Sequence, residues 1–417
     1  MHNNSIEKTV ADVNRGVDID RVRFDDIETK HATVAKYLEM HRFDALVLQH
    51  PSNISWFTSG ANFVQDGAGE SRAFLFLTPD ARVVVTSNEY SDELFTREIP
   101  RLGFQLKQRI WQDSQTELLR DLCRGRTVAS DFSIENSIDA TPQLKGMRLP
   151  LNELECKRLR ILGKRLVHAV EATARHFKKG QTESEIAGEI SHRLLKHCIQ
   201  PERIRVSADQ TQSRVRQSGF SSTPVDRSCV MSVKARVHGL HCAVTRTVCF
   251  GNLPTEMKTF YEKTLLVLAT GLYFSQNGWE MSETWKRVKR IYEKFGHPDE
   301  WQHTRQAEIL GYQPTELLFT PESGFQLGER MPLFWQPSIG TTVAGDTILV
   351  GKSRFESLTS CENWPETVVT VKGHSLRLPG ILKRDQKDPQ ESSVLNVDDS
   401  LLDFSFDDSS FIEEIVL

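Results

Sequence analysis

The texture of the chain changes near residue 150, and that change constrains the fold more than any other feature. Before it, short apolar runs at 43–48, 73–77, 82–86 and 127–130 alternate with polar stretches. Thr78-Pro79-Asp80-Ala81 is a turn, so the second and third runs form a hairpin. Pro51, Ser52 and Asn53 break the first run, and a helix is expected over 29–42. Strands mixed with helices over about 115 residues describe an α/β domain. A linker at about 145–150 follows. Beyond it Leu154, Leu159, Leu162, Leu166, Val167 and Val170 recur at helical spacing, which makes 152–177 a long amphipathic helix. Thr182 and Glu185 form a capping box that opens a helix to about 198. The valine-rich, alternating stretch 228–250 gives paired strands. Helices fit 255–274 and 282–295, and strands return at 331–335, 347–350 and 367–371. The expected domains are therefore a flexible arm at 1–28, an α/β domain at 29–145, an α+β domain at 152–380 and a disordered acidic tail at 385–417.

Composition narrows the function classes. The 417 residues carry a formal net charge of −4, which gives no reason to expect nucleic acid or an anionic membrane as partner. The first twenty residues lack the apolar run of a secretory signal, and no stretch reaches the length of a membrane span. The seven cysteines are dispersed without a C-x-x-C pair, as expected of reduced thiols in a cytoplasmic protein. Residues 385–417 hold ten acidic residues and one lysine. Apolar residues such as Phe404, Phe406 and Phe411 are interleaved among them. Such a tail does not order itself, and it is either a solubilising segment or a peptide that docks a protein partner.

Four segments carry a family resemblance. The run 232–247, with Gly239 and Thr245-Arg246-Thr247, resembles the double-strand motif of the pita-bread metallopeptidases, the family of aminopeptidase P, prolidase, methionine aminopeptidase and creatinase. Asn53-Ile54-Ser55-Trp56-Phe57-Thr58-Ser59-Gly60 resembles the family's Asn-Ile-x-Tyr-x-Thr-Gly segment. Gly311-Tyr312-Gln313-Pro314-Thr315-Glu316 resembles its Gly-Leu-x-x-His-Glu run, and Asp346-Thr347-Ile348-Leu349-Val350 its Glu-Asp-Thr-x-x-Val strand. These matches stand in family order over about 30–375. The resemblance implies a creatinase-type α/β N-terminal domain followed by an α+β pita-bread domain, and a homodimer. Ala235-Arg236, Gly239-Leu240 and Asp299-Glu300-Trp301 further resemble a bacterial Xaa-Pro peptidase-like subgroup.

The resemblance also implies two metals held by hard oxygen ligands and an imidazole, which generate a hydroxide nucleophile. The five ligand positions correspond here to Ser232, Ala243, Glu308, Gln336 and Gly345, all changed. The substrate-side histidines correspond to Thr304 and Thr315. Asp226 stands near the place of the histidine that lets creatinase work without metal. No metal, other cofactor or catalytic residue is therefore expected.

Strand alternation puts His241 on the face of Ala243, the emptied position. The cleft candidates are His241, Glu308, Glu316, Ser232 and Gln336. If His241, Glu308 and Glu316 converge, they suit a cationic group. Arg246 is expected to pair with a carboxylate and hold the strands. The favoured reading is a catalytically degenerate Xaa-Pro aminopeptidase-like or creatinase-like protein, a pseudoenzyme whose cleft binds a peptide-like or small ligand, or a protein partner. Histone-chaperone subunits with a dead domain of this fold are the precedent the resemblance implies. The rivals are an active hydrolase with a rebuilt site and a structural or oligomer-forming protein.

Overall fold

The computed structural model describes residues 19–64, 71–209 and 219–384. The arm as far as residue 18 and the acidic tail 385–417 lie outside the described residues. The first helix runs Arg21–His41. Residues 21–28, expected in the arm, are thus helical. Asp20 caps them, its side chain accepting from the amide of Arg23 at 3.0 Å, and Ile27 is fully buried.

Six strands form the first sheet: β1 (Ala45–Leu48), β2 (Ala73–Leu77), β3 (Arg82–Ser87), β4 (Gln105–Arg109), β5 (Val128–Ser130) and β6 (Ser137–Asp139). Their order is β4-β3-β2-β1-β5-β6, with β1–β2 and β2–β3 antiparallel and the remaining pairs parallel. The segment after β1 is a short helix, Pro51–Phe57, with proline in its first turn, where a missing amide hydrogen costs nothing.

The second domain holds β7 (Gln200–Ala208), β8 (Ser228–Val237), β9 (Leu240–Phe250), β10 (Ala307–Ile309), β11 (Leu317–Leu318), β12 (Pro332–Trp335), β13 (Ser338–Ile339), β14 (Thr342–Val343), β15 (Asp346–Leu349), β16 (Glu356–Ser357), β17 (Glu366–Val371), β18 (His374–Pro379) and β19 (Ile381–Arg384). One sheet has the order β19-β9-β8-β7 and a second the order β11-β10-β12-β15-β16. The helix Glu153–His176 opens on a capping box between Asn152 and Glu155. Its apolar stripe, with Leu159, Leu162, Leu166 and Val170, packs with Met231, Val233, Val244 and Val248 from the back of the first of these sheets. Helices Thr255–Phe274 and Met281–Lys294 cover the second sheet, where Leu268, Leu272, Trp285 and Val288 meet Leu333, Trp335 and Ile348. The two layers of helix leave the facing sides of the sheets to form the cleft.

Backbone bonds stitch the sheets together along β9. The amide of Thr245 donates to the Gly345 carbonyl at 2.9 Å, and that of His241 to the Gly311 carbonyl at 3.0 Å. Arg246 is fully buried and pairs with Glu171 at 2.8 Å and Asp346 at 3.0 Å. It therefore ties β9 to the long helix and to β15.

The stretch expected as a linker is a helix, Thr141–Arg148. Arg148 is buried and reaches the second domain, donating to both oxygens of Glu316, at 3.2 and 2.6 Å. The same guanidinium bonds Asn53, whose amide donates to Asp131 at 2.7 Å. A polar chain thus crosses the domain boundary. The β8–β9 turn crosses it too. His238 and Gly239 both take positive φ, 48° and 77°, as a two-residue hairpin requires. A Cβ on Gly239 would lie 2.6 Å from Ser55 Cβ, so only glycine lets the tip close on the first domain.

Burial, and secondarily Arg158 and Arg23, push the His238 imidazole down to about 3 from 6.5. Between those values the folded protein binds fewer protons than the unfolded chain. The stabilising contribution is complete above about pH 6.5 and is lost as the pH falls toward 3. Asn tolerates positive φ. The melting temperature of His238→Asn should therefore fall less than that of the parent between about pH 7 and about pH 5. Parallel slopes for the two proteins would assign no acid sensitivity to this imidazole.

Candidate functional site

The cleft is built from cross-strand rows. On the inner face, Arg205 of β7, Ser232 of β8 and Thr245 of β9 stand side by side, and Arg203, Lys234 and Ala243 form the next row. Arg236 and His241 follow. From the opposite sheet Glu308 pairs with Phe334 across β10 and β12. Side chains alternate along β12, so Leu333 and Trp335 enter the helix-backed core while Phe334 faces the cleft, with Gln336 beyond it.

Three of the sequence candidates meet here. Gln336 Nε2 donates to Ser232 Oγ at 2.6 Å and to Thr245 Oγ1 at 2.8 Å, and the two hydroxyls lie 3.1 Å apart. These are neutral groups that satisfy one another. Glu308 lines the same depression as Gln336. Its carboxylate is taken: Lys234 Nζ donates to it at 2.6 Å, and the Thr315 hydroxyl bonds the other oxygen. Lys234 also donates to the Pro314 carbonyl at 2.6 Å. The pair is largely buried, with side-chain exposures of 8% and 12%.

His241 and Glu316 go elsewhere. His241 is buried, with Nδ1 on the Gly311 carbonyl at 2.9 Å and Nε2 3.8 Å from Glu202. That ring holds the Glu202 carboxyl below the ordinary carboxylate range. Glu316 has a fully buried side chain and serves the Arg148 bridge. His241, Glu308 and Glu316 therefore do not form the cation-binding trio that their sequence positions suggested.

The donor set does not fit a two-metal centre. Among the described residues no three His, Cys, Asp or Glu side chains are grouped to hold a metal ion. Ala243 packs with Leu310 and Phe334 in a small apolar cluster at the emptied position. Gly345 leaves no room for a carboxylate, because even a Cβ there would lie 2.9 Å from the Trp335 carbonyl and 3.2 Å from the Phe334 ring. The remaining carboxylate, Glu308, faces an ammonium supplied by the chain.

Lys234, Arg203, Arg205 and Phe334 were absent from the sequence candidates. Lys234 lies two residues from Ser232, so strand alternation alone puts it on the cleft face. Phe334 is likewise two residues before Gln336. No comparable signal existed for β7, whose polar run Glu202-Arg203-Ile204-Arg205 has weak alternation.

Comparison with known proteins agrees with this frame. Residues 157–344 match metallopeptidase family M24. They form an M24 domain. An uncharacterized peptidase of Staphylococcus haemolyticus is 22% identical over 246 residues, covering 57% of this chain and 70% of that protein. Among solved structures, the prolidase from Pyrococcus horikoshii superposes with a TM-score of 0.69 at 17% identity, covering 80% of this chain and 99% of that one. The N-terminal domain of the FACT complex subunit SPT16 from chickpea gives 0.63 at 13%, covering 83% and 98%. The α/β domain followed by an α+β pita-bread domain, read from the motifs, is the fold these structures share.

Removing Lys234 alone would strand a buried carboxylate. Lys234→Met should lower the unfolding free energy by ~3–5 kcal/mol, and the double variant Lys234→Met/Glu308→Gln should lose less than the single one. Urea denaturation of the set measures this. Strictly additive losses would show that the two groups are uncoupled.

Proposed function

We propose that the M24 domain of this chain is a binding module and not a metal-dependent peptidase. The observation that carries the reading is the Lys234–Glu308 pair, which neutralises the one carboxylate left at the five ligand positions. Metal hydrolysis in this family's style needs several anionic ligands to hold two cations and acidify a bound water. The ammonium of Lys234 repels a second cation, and Phe334 fills the adjoining space with apolar surface. The neutral Ser232–Gln336–Thr245 cluster offers weak hard-ion ligands, and Gln336 presents an amide where the resemblance implies a carboxylate.

Neither Glu308 nor His241 is set up as a general base in compensation. A base must reach the proton it removes. Glu308 is occupied by Lys234 and Thr315, and His241 faces Gly311 and Glu202. The same fold occurs in the N-terminal domain of a FACT complex subunit. The ligand of the cleft is a small molecule or a peptide-like segment.

Purified protein dialysed without chelator should hold far less than one equivalent of manganese, cobalt, zinc or iron by elemental analysis. It should not hydrolyse Xaa-Pro dipeptides above background in the presence of manganese. Two tightly held ions together with manganese-dependent turnover would overturn the reading.

A further inference from the structure

The residues around the emptied centre reverse the charge of the cleft. Arg203 and Arg205 project from β7 in register with Lys234 and Ser232, and Arg305 enters from the segment before β10. Together with Thr304, Glu308 and Gln336 they line a depression of about 320 Å³, open solvent included. Three guanidinium groups thus face one carboxylate, and that carboxylate is already neutralised by Lys234 at 2.6 Å. Among the described residues none of the three arginines sits in an ion pair. The Arg205 Nε is buried and has no hydrogen-bond partner. Burial, with Arg203 and Arg305 close by, pushes the Arg205 guanidinium down to about 10. A side chain that is desolvated, crowded by like charge and left with an unmatched donor is destabilising unless an anion meets it.

We propose that this depression is an anion site that takes its ligand through an oxyanion, a carboxylate or a phosphate, received by Arg205 at the floor with Arg203 and Arg305 closing from the rim. The planar guanidinium fork matches both oxyanions and binds them through paired N–H donors. The exposed Arg203 and Arg305 supply charge at the mouth, while half-buried Arg205 supplies the directed donor. The inference rests on the reading of the cleft as a metal-free binding module, and it fixes the charge of the ligand that module accepts.

Calorimetric titration of the full chain with inorganic phosphate and, separately, with acetate tests it. The titrations are run in EDTA, with sodium chloride holding the ionic strength constant. Saturable binding of at least one probe is expected, and the tighter probe identifies the source of the oxyanion. Arg203→Gln/Arg305→Gln, both at exposed positions, should weaken that binding by about tenfold or more, and Arg205→Gln should do the same. Absence of saturable heat with both probes overturns the anion site and leaves the metal-free reading standing. Unchanged affinity in the variants also overturns it. Binding that appears only when manganese replaces EDTA overturns both, because the anion would then be reporting a bound metal.

Discussion

Arg246 holds the architecture on which everything in the cleft depends. Its guanidinium is fully buried and meets Glu171 on the long helix, Asp346 at the start of β15 and the Thr359 carbonyl at 2.8 Å. A charge so far from water is tolerable only with its partners present, and removal of either carboxylate would leave it uncompensated. The network therefore helps to fix the separation of the two sheets. Thr347 adds to it by bonding both backbone groups of Ala243, at 3.1 and 2.6 Å. With the sheets held this way by Arg246, Thr347 and the backbone bonds along β9, the remaining side chains decide what fills the space between them.

What fills it is a closed set of contacts. A neutral cluster of Ser232, Thr245 and Gln336 lies beside a buried ion pair, and an apolar plug of Ala243, Leu310 and Phe334 lies beside that. Each replacement makes the next tolerable. Alanine at 243 admits the Phe334 ring, and glycine at 345 admits the Trp335 carbonyl and that same ring. A carboxylate restored at 345 would meet both. On the proposed reading the cleft is packed against metal by several positions acting together, while its basic rim stays open.

Much of the frame was legible in the residues. Period-two alternation located β8 and β9, and helical spacing located Glu153–His176 within a residue at each end. The matched motifs turn out to touch: the His238-Gly239 tip closes on Ser55 and Gly60, and Asn53 shares Arg148 with Glu316. Arg246 was expected to pair with a carboxylate and pairs with two. The misses have a common cause, since partners far apart in sequence carry no local signal. Arg148 sat before Leu149-Pro150 and read as linker, yet it is one of the bolts between the domains. Glu316 looked free for a ligand because nothing local announces a partner 168 residues away. Lys234 was readable by alternation, but its meaning depended on Glu308 across the cleft.

We propose that the chain's own side chains occupy the place of the metals. Crystals soaked in manganese and measured at a wavelength where manganese scatters anomalously test it most directly. No anomalous peak should appear between β9 and β12, and Lys234 Nζ should remain on Glu308. A pair of peaks beside Glu308 and Gln336, with Lys234 displaced, would contradict it.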